Sequence, residues 1–194
     1  VYIGIESNEY SSNILKNPED FNVYSGTGSS PSCASGRISY MFNLKGSCMS
    51  ISTACSSSLV AIDLACQNLK LYRSVKALAG GVNVSCPPNI HLIFSRLHAL
   101  SEDGKSKTFD ESANGYGRGE GCGMVFLERL VDAEKNNKFI HGIIKGSSVK
   151  EDGKSSTLTA PNGTAQQLVI KTALKEANVK PSQIEYVEAH GTGT

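Results

Sequence analysis

The chain has 194 residues, of which 39% are hydrophobic and 19% charged, and its formal net charge at pH 7 is +1. This composition is typical of a globular domain, and a charge so close to zero predicts no binding to nucleic acid. We expect no membrane span, because no apolar run approaches the ~18 residues that a spanning helix needs. The six cysteines show no paired spacing, which indicates reduced thiols and a cytoplasmic protein.

The first half of the chain predicts a buried strand at residues 1–5, a helix at 31–42, and then a strand that turns into a helix at 49–69. In this last stretch, alternate residues at 49, 51 and 53 have the period of a strand. The residues that follow share the spacing of one helical face: Cys55, Leu59, Ile62, Cys66 and Leu69. The change of period falls at Ala54 and Cys55.

Cys55 is the predicted nucleophile. At the start of a helix, a cysteine meets the positive end of the macrodipole and backbone N–H groups that have no helical partner. Both features stabilise a thiolate, which is the reactive form. Serines at 56–58 favour a helix cap, and Ala54 leaves room for a substrate. The alternative is that Cys55 is a small buried residue, as free cysteines usually are.

The second half predicts further strands and a glycine-rich loop. A nearly continuous apolar run at 75–84 favours a strand buried on both faces, and Gly80 with Gly81 implies close backbone approach. Residues 100–110 are a predicted loop, and the glycines at 115–123 fit neither nucleotide-binding pattern, which favours close packing before a strand at 124–127. Strands at 141–149 and 184–190 and a helix at 165–177 complete the prediction.

Three segments together carry a family resemblance. They read Thr-Ala-Cys-Ser-Ser-Ser-Leu-Val-Ala at 53–61, Gly-Tyr-Gly-Arg-Gly-Glu-Gly at 115–121, and Val-Glu-Ala-His-Gly-Thr-Gly-Thr at 187–194. The chain resembles the β-ketoacyl synthase (ketosynthase) domains of polyketide synthases, and the resemblance runs from its first residue to its last. Ser52 departs from the family, which usually has aspartate just before Thr-Ala-Cys.

The resemblance implies the thiolase-like layered α/β/α/β/α fold, in an incomplete form. Residues 1–194 are expected to be a partial ketosynthase domain. By resemblance, residues 1–180 correspond approximately to the nucleophile-bearing half and residues 181–194 to the start of the second half. Because other catalytic parts of the family lie downstream of residue 194, we expect this fragment to be inactive alone.

The resemblance also implies an acyltransferase of polyketide biosynthesis. Cys55 would accept an acyl chain, His190 would donate a hydrogen bond to a malonyl-type unit during decarboxylative condensation, and Thr192 and Thr194 would contact the phosphopantetheine arm. The implied partners are an acyl carrier protein, acyl and malonyl-type thioesters, and a second copy in a homodimer. No metal and no directly bound cofactor are expected.

Three alternatives stay open. A ketosynthase of fatty-acid biosynthesis shares the fold and the cysteine–histidine chemistry, although the Arg-Gly-Glu-Gly segment and the serine-rich turn favour the polyketide type. A cysteine–histidine thiol hydrolase would release a free acid instead of forming a carbon–carbon bond. A non-catalytic scaffold is the third, and the presence of Cys55 argues against it.

Overall fold

The computed structural model describes residues 1–6, 9–14, 16–86 and 88–194. In chain order, its strands and α-helices are β1 (Tyr2–Gly4), α1 (Glu9–Ile14), α2 (Ser25–Ser29), α3 (Pro31–Met41), β2 (Met49–Ile51), α4 (Ser57–Lys70), β3 (Lys76–Asn83), α5 (Asn89–Arg96), β4 (Gly121–Glu128), α6 (Leu130–Lys135) and α7 (Gly163–Ala177). Short 3₁₀ helices cover Pro18–Asp20 and Pro181–Gln183. Within these ranges, no helix has the length and apolar character needed to cross a membrane.

The four strands form one mixed sheet in the order β2-β1-β3-β4. β1 runs parallel to both β2 and β3, so that Tyr2 lies opposite Met49 on one side and Ala79 on the other. β4 runs antiparallel to β3. The carboxyl ends of β1, β2 and β3 and the start of β4 therefore share one edge of the sheet, which is where open α/β sheets bind ligands.

Helix α4 packs across this sheet through very small side chains. The core combines residues of α4, β1 and β3: Tyr2, Ala61, Ala65, Leu69, Ala77 and Ala79. Ala61 and Ala65 are fully buried, whereas Leu59 is 70% exposed. The predicted apolar face is thus wrong at its start, because α4 begins at Ser57 and turns Ala61 and Ala65, rather than Leu59, toward the sheet.

Glycines in the sheet make room for the first turn of α4 and for β4. A Cβ atom on Gly4 would lie 2.5 Å from the backbone nitrogen of Ser58, and one on Gly81 would lie 2.8 Å from the Ser58 Cβ. On Gly80, a Cβ atom would lie 2.0 Å from the carbonyl oxygen of Gly123. The predicted close backbone approach at Gly80 and Gly81 is confirmed.

The strands predicted at 141–149 and 184–190 are wrong. Neither segment joins a β-ladder within the described part of the chain. A strand depends on a partner that its own sequence does not specify, and the first segment packs between helices instead. There, Ser147 donates a hydrogen bond to the buried Asp63 of α4 (2.6 Å), and a Cβ atom on Gly146 would lie 2.6 Å from the Ala177 nitrogen of α7.

Strand β4 is paired on one side and open on the other. It pairs with β3 over its whole length, and among the described strands it has no second neighbour. Met124 and Val125 are each 40% exposed, and Phe126 is 61% exposed. This strand is therefore far less covered than β1, in which all three residues are buried.

Arg129 ties the end of helix α4 to the approach to strand β3. Its guanidinium group donates to the carbonyl oxygens of Leu69 (3.1 Å) and Ser74 (2.8 Å) and forms an ion pair with Asp132 (2.5 Å). The same group lies 4.5 Å from the centre of the Tyr72 ring. A lysine has the charge but not the planar fork that reaches these partners together.

We expect Arg129→Lys to lower the free energy of unfolding by about 1.5–3 kcal/mol, the usual loss for hydrogen bonds to a charged donor. Chemical denaturation of the complete domain that contains this chain measures the change. Arg73→Lys is the matched control, because Arg73 is exposed and its side chain makes no polar contact with the described residues. Equal stability of the two variants would contradict this role for Arg129.

Candidate active site

Cys55 lies in the tight turn between β2 and α4, and its side chain is exposed. The helix begins at Ser57, with Ser56 at the N-cap position, so it starts later than the sequence predicts. Ala54 has a φ angle of 52°, which is the left-handed conformation that residues other than glycine rarely adopt. The chain thus reverses sharply just before Cys55, and the thiol lies at the amino end of α4 as predicted.

Hydroxyl groups hold this turn from both sides. The buried Ser57 hydroxyl accepts from the Thr53 N–H (2.8 Å) and donates to the Ala54 carbonyl oxygen (2.7 Å). On the exposed side, the Ser56 hydroxyl donates to the Thr53 carbonyl oxygen (2.8 Å). Ser56 makes no side-chain cap to the helix. The Ser56 and Ser57 hydroxyls therefore stabilise the turn by binding the residues that precede Cys55, and Ser56 does not cap the helix.

The predicted close packing of the glycine-rich loop holds for Gly115 and Gly117, whereas a Cβ atom on Gly119, Gly121 or Gly123 would meet nothing within 4 Å. A Cβ atom on Gly115 would lie 2.4 Å from the carbonyl carbon of Leu100, and Gly115 has a φ angle of 131°. The Asn83 side chain at the end of β3 donates to the Gly119 carbonyl oxygen (2.7 Å), and Glu120 accepts from the Ser85 N–H (2.6 Å). The loop is thus fixed to the segment that leaves β3.

A buried ion pair joins Glu9 to Arg118, a contact that the sequence analysis does not predict. The Glu9 side chain is 4% exposed and lies 3.9 Å from Arg118, which is 15% exposed. Glu9 also accepts from the Cys86 N–H (3.1 Å), and the Arg118 guanidinium lies 5.3 Å from the centre of the Phe94 ring. The local sequence does not predict these contacts, because the partners of Glu9 are distant along the chain.

His190 lies in an irregular segment whose position depends on the loop around 107–115. The Thr108 hydroxyl donates to the Gly191 carbonyl oxygen, and the Gly115 N–H donates to the Gly193 carbonyl oxygen (3.0 Å). Gly191 and Gly193 have φ angles of 52° and 75°, which suit glycine. The His190 side chain itself is exposed.

The structure joins some of the predicted site residues directly and others only through loops. The Thr192 and Thr194 hydroxyls are 2.9 Å apart. Cys55 follows β2 at the carboxyl edge of the sheet. The His190 segment is hydrogen-bonded to the loop that leads into β4, and β4 begins at that same edge. Among the described residues, however, neither the Cys55 nor the His190 side chain has a hydrogen-bond partner.

Exposure alone does not distinguish Cys55 from the other cysteines. Cys48, Cys86 and Cys122 are exposed as well. Cys66 is buried in α4, and this burial raises the pKa of its thiol, which keeps it protonated and unreactive. The distinguishing feature of Cys55 is its place in the strained turn at the amino end of a helix.

Comparison with protein families and solved structures agrees with this architecture. Residues 1–133 match the family described as "Beta-ketoacyl synthase, N-terminal domain", and residues 141–194 match "Beta-ketoacyl synthase, C-terminal domain". These matches together cover most of the chain. The chain therefore belongs to the β-ketoacyl synthase family and is a partial ketosynthase domain.

The similar proteins are polyketide synthases. The chain is 47% identical over 194 residues to polyketide synthase GfsB of Streptomyces halstedii. It is 46% identical over 194 residues to the pikromycin polyketide synthase component PikAII of Streptomyces venezuelae. All of the chain is covered in both cases, but it spans only 4% and 5% of these relatives.

Solved ketosynthases confirm the predicted thiolase-like fold. The ketosynthase from module 6 of the bacillaene synthase of Bacillus subtilis 168 matches with a TM-score of 0.90 and 41% identity. The oxazolomycin ketosynthase domain OzmH KS7 of Streptomyces albus JA3453 matches with a TM-score of 0.91 and 34% identity. Each comparison covers 100% of this chain and 33% of the solved chain.

Proposed function

We propose that this chain supplies Cys55 and His190 to a decarboxylative Claisen condensation in polyketide biosynthesis, carried out by the complete ketosynthase domain. The observation that carries the proposal is the position of Cys55, exposed in a strained turn at the amino end of α4 and at the carboxyl edge of the sheet. Family membership and the polyketide synthase relatives favour this reaction over fatty-acid synthesis, hydrolysis or a scaffold role.

In the first step, the Cys55 sulfur attacks the carbonyl carbon of an acyl thioester carried on the phosphopantetheine of an acyl carrier protein. A new carbon–sulfur bond forms to Cys55, and the bond to the pantetheine sulfur breaks. The pantetheine leaves as a free thiol and takes up the proton lost from Cys55. The product is an acyl-enzyme, and the exposure of Cys55 gives the thioester access to the sulfur.

In the second step, a malonyl-type thioester loses carbon dioxide and becomes an enolate. His190 donates a hydrogen bond to the thioester oxygen, on which negative charge develops, and such a preorganised donor contributes about 3–4 kcal/mol. The enolate carbon then attacks the acyl carbonyl on Cys55, so that a carbon–carbon bond forms and the carbon–sulfur bond to Cys55 breaks. Cys55 leaves as a thiolate that takes up a proton from water, and the β-ketoacyl product stays on the carrier thioester. Thr192 and Thr194, whose hydroxyls already lie together, contact the pantetheine arm.

The proposed partners follow from these substrates. An acyl carrier protein delivers both thioesters, and the complete domain acts as a homodimer. No directly bound cofactor takes part in either step. The proposal assigns the whole reaction to the complete domain, with this chain contributing the nucleophile, the histidine and the two threonines.

The test is the intact mass of the complete domain after exposure to an acyl-pantetheine thioester. We expect the wild-type protein to gain one acyl mass and Cys55→Ala to gain none, because no other thiol lies in the turn before α4. Cys48→Ala is the matched control, since Cys48 is also exposed, and we expect it to be acylated normally. An equal gain in wild type and Cys55→Ala would overturn the proposal.

A further inference from the structure

The Ser57 hydroxyl spans the turn that carries Cys55. Ser57 is 6% exposed and is the first residue of α4. Its oxygen accepts from the Thr53 N–H (2.8 Å) and donates its proton to the Ala54 carbonyl oxygen (2.7 Å). A serine hydroxyl has a single proton to donate, and Ser57 donates this proton to the Ala54 carbonyl oxygen. One buried side chain thus contacts both residues that precede Cys55.

This contact acts on a strained peptide. Ala54 adopts a φ angle of 52°, a conformation that costs a residue other than glycine on the order of 1–3 kcal/mol and persists only where its surroundings hold it. The backbone N–H of Ser57 also donates to the Ala54 carbonyl oxygen (3.1 Å). Ala54 is thus held at its carbonyl group by both the main chain and the side chain of Ser57.

Holding the Ala54 carbonyl fixes the direction of the next N–H group. The Ala54 carbonyl and the Cys55 N–H belong to one planar amide, and the chain has no cis peptide bond among its described residues. In a trans amide, the C=O and N–H bonds point in opposite directions. Because the carbonyl points toward Ser57 at the start of α4, the Cys55 N–H points away from the helix.

We infer that Ser57 is a positioning residue for Cys55: its buried hydroxyl holds the Ala54 carbonyl so that the Cys55 N–H faces the carbonyl oxygen of an arriving thioester. That N–H stabilises the negative charge that develops on the oxygen when the Cys55 sulfur attacks. The inference rests on the proposed role of Cys55 as the nucleophile. Ser57 itself touches neither the substrate nor the reacting atoms.

A purely structural serine would behave differently. Losing it would lower stability, but the folded protein would still be acylated at the normal rate. A positioning serine affects acylation more than simple alkylation, because attack on iodoacetamide develops no oxyanion and attack on a thioester does. Comparing these two reactions at Cys55 therefore separates the two roles.

The experiment uses the complete ketosynthase domain and measures, by peptide mass spectrometry at Cys55, the rates of acylation by an acyl-pantetheine thioester and of alkylation by iodoacetamide. We expect Ser57→Ala to slow acylation about tenfold or more and alkylation less than about threefold. The expected loss in acylation is smaller than the loss from removing an oxyanion donor outright, because the Cys55 N–H is still present. Ser57→Thr keeps the hydroxyl, and we expect it to restore most of the acylation rate.

Two further variants make the result decisive. Ser50→Ala is the matched control, because the Ser50 hydroxyl also makes close contacts, to the Pro31 carbonyl oxygen (2.5 Å) and the Ser35 hydroxyl (2.9 Å), but does not touch the turn. If Ser57→Ala fails to fold, Ala54→Gly combined with Ser57→Ala relieves the strain at Ala54, and slow acylation is still expected.

Acylation of Ser57→Ala at the wild-type rate, or an equal loss in Ser50→Ala, would overturn the positioning role and leave the proposed function intact. Failure of the wild-type protein to be acylated at Cys55 would overturn the proposed function and this inference with it. The wild-type measurement therefore separates the two failures.

Discussion

Replacing His190 with alanine is expected to slow decarboxylation of a malonyl-type thioester by about 10²–10³-fold, the usual loss when one donor to a developing oxyanion is removed. Acylation of Cys55 should stay close to the wild-type rate, because the proposed hydrogen bond is made only to the malonyl-type unit. Release of carbon dioxide measures the first reaction, and intact mass measures the second. The two half-reactions then separate the roles of the two residues.

His91→Ala is the matched control for this experiment. His91 is exposed on helix α5, where alanine is well tolerated, and it lies outside the three motifs at 53–61, 115–121 and 187–194. We expect both half-reactions to proceed normally in this variant. If His190→Ala decarboxylates as fast as His91→Ala, the role proposed for His190 is wrong.

The second large effect is expected at Gly4, where the sheet meets the first turn of α4. A Cβ atom there would lie 2.5 Å from the Ser58 nitrogen, 2.6 Å from the Ser57 carbonyl carbon and 2.8 Å from the Ser58 Cα. All three are backbone atoms, so alanine forces helix α4 away from the sheet. We expect Gly4→Ala to lower the free energy of unfolding by about 2–3 kcal/mol, toward the upper end for overpacked cores.

Gly36→Ala makes the same chemical change where there is space for it. Gly36 lies inside helix α3, and a Cβ atom on it would meet nothing within 4 Å. Because alanine favours a helix over glycine by about 1 kcal/mol, we expect this variant to be slightly more stable than wild type. Chemical denaturation of both variants measures the difference. A stability loss at Gly36 as large as that at Gly4 would contradict the packing argument.

The sequence predicted the parts of the fold that local patterns determine. The alternation of residues before Cys55 predicted β2, and the apolar run at 75–84 predicted β3. The glycine pair in β3 has close neighbours, as predicted. The apolar pattern also located α4, but not its buried face. That face depends on where the helix begins, and the turn at Ala54 delays the start to Ser57.

The errors and omissions come from contacts between distant residues. Residues 184–190 are a predicted strand, yet among the described residues they pair with no strand, and Tyr186 and Val187 are 77% and 74% exposed. The burial of Glu9 against Arg118 has the same origin, since the two residues come from separate elements.

In the candidate site, too, the local motifs could be predicted from the sequence, whereas the contacts of individual side chains could not. The Cys55 and His190 motifs are visible in the sequence, and so is the glycine-rich loop between them. The hydrogen bonds of Ser57 are not, because a run of serines gives no indication of which hydroxyl points inward. Only the folded turn shows that Ser57 is buried while Ser56 is exposed.

The open side of β4 has a consequence for handling this polypeptide by itself. On the side away from β3, its N–H and C=O groups pair with no other strand in the described part of the chain. Beside the exposed Val125 and Phe126, they offer a template on which another chain can add a strand. Natural sheets protect such borders with charged residues, proline or a covering segment. Residues 121–127 of β4 contain no charge and no proline, so we expect the isolated chain to aggregate through this strand when it is concentrated.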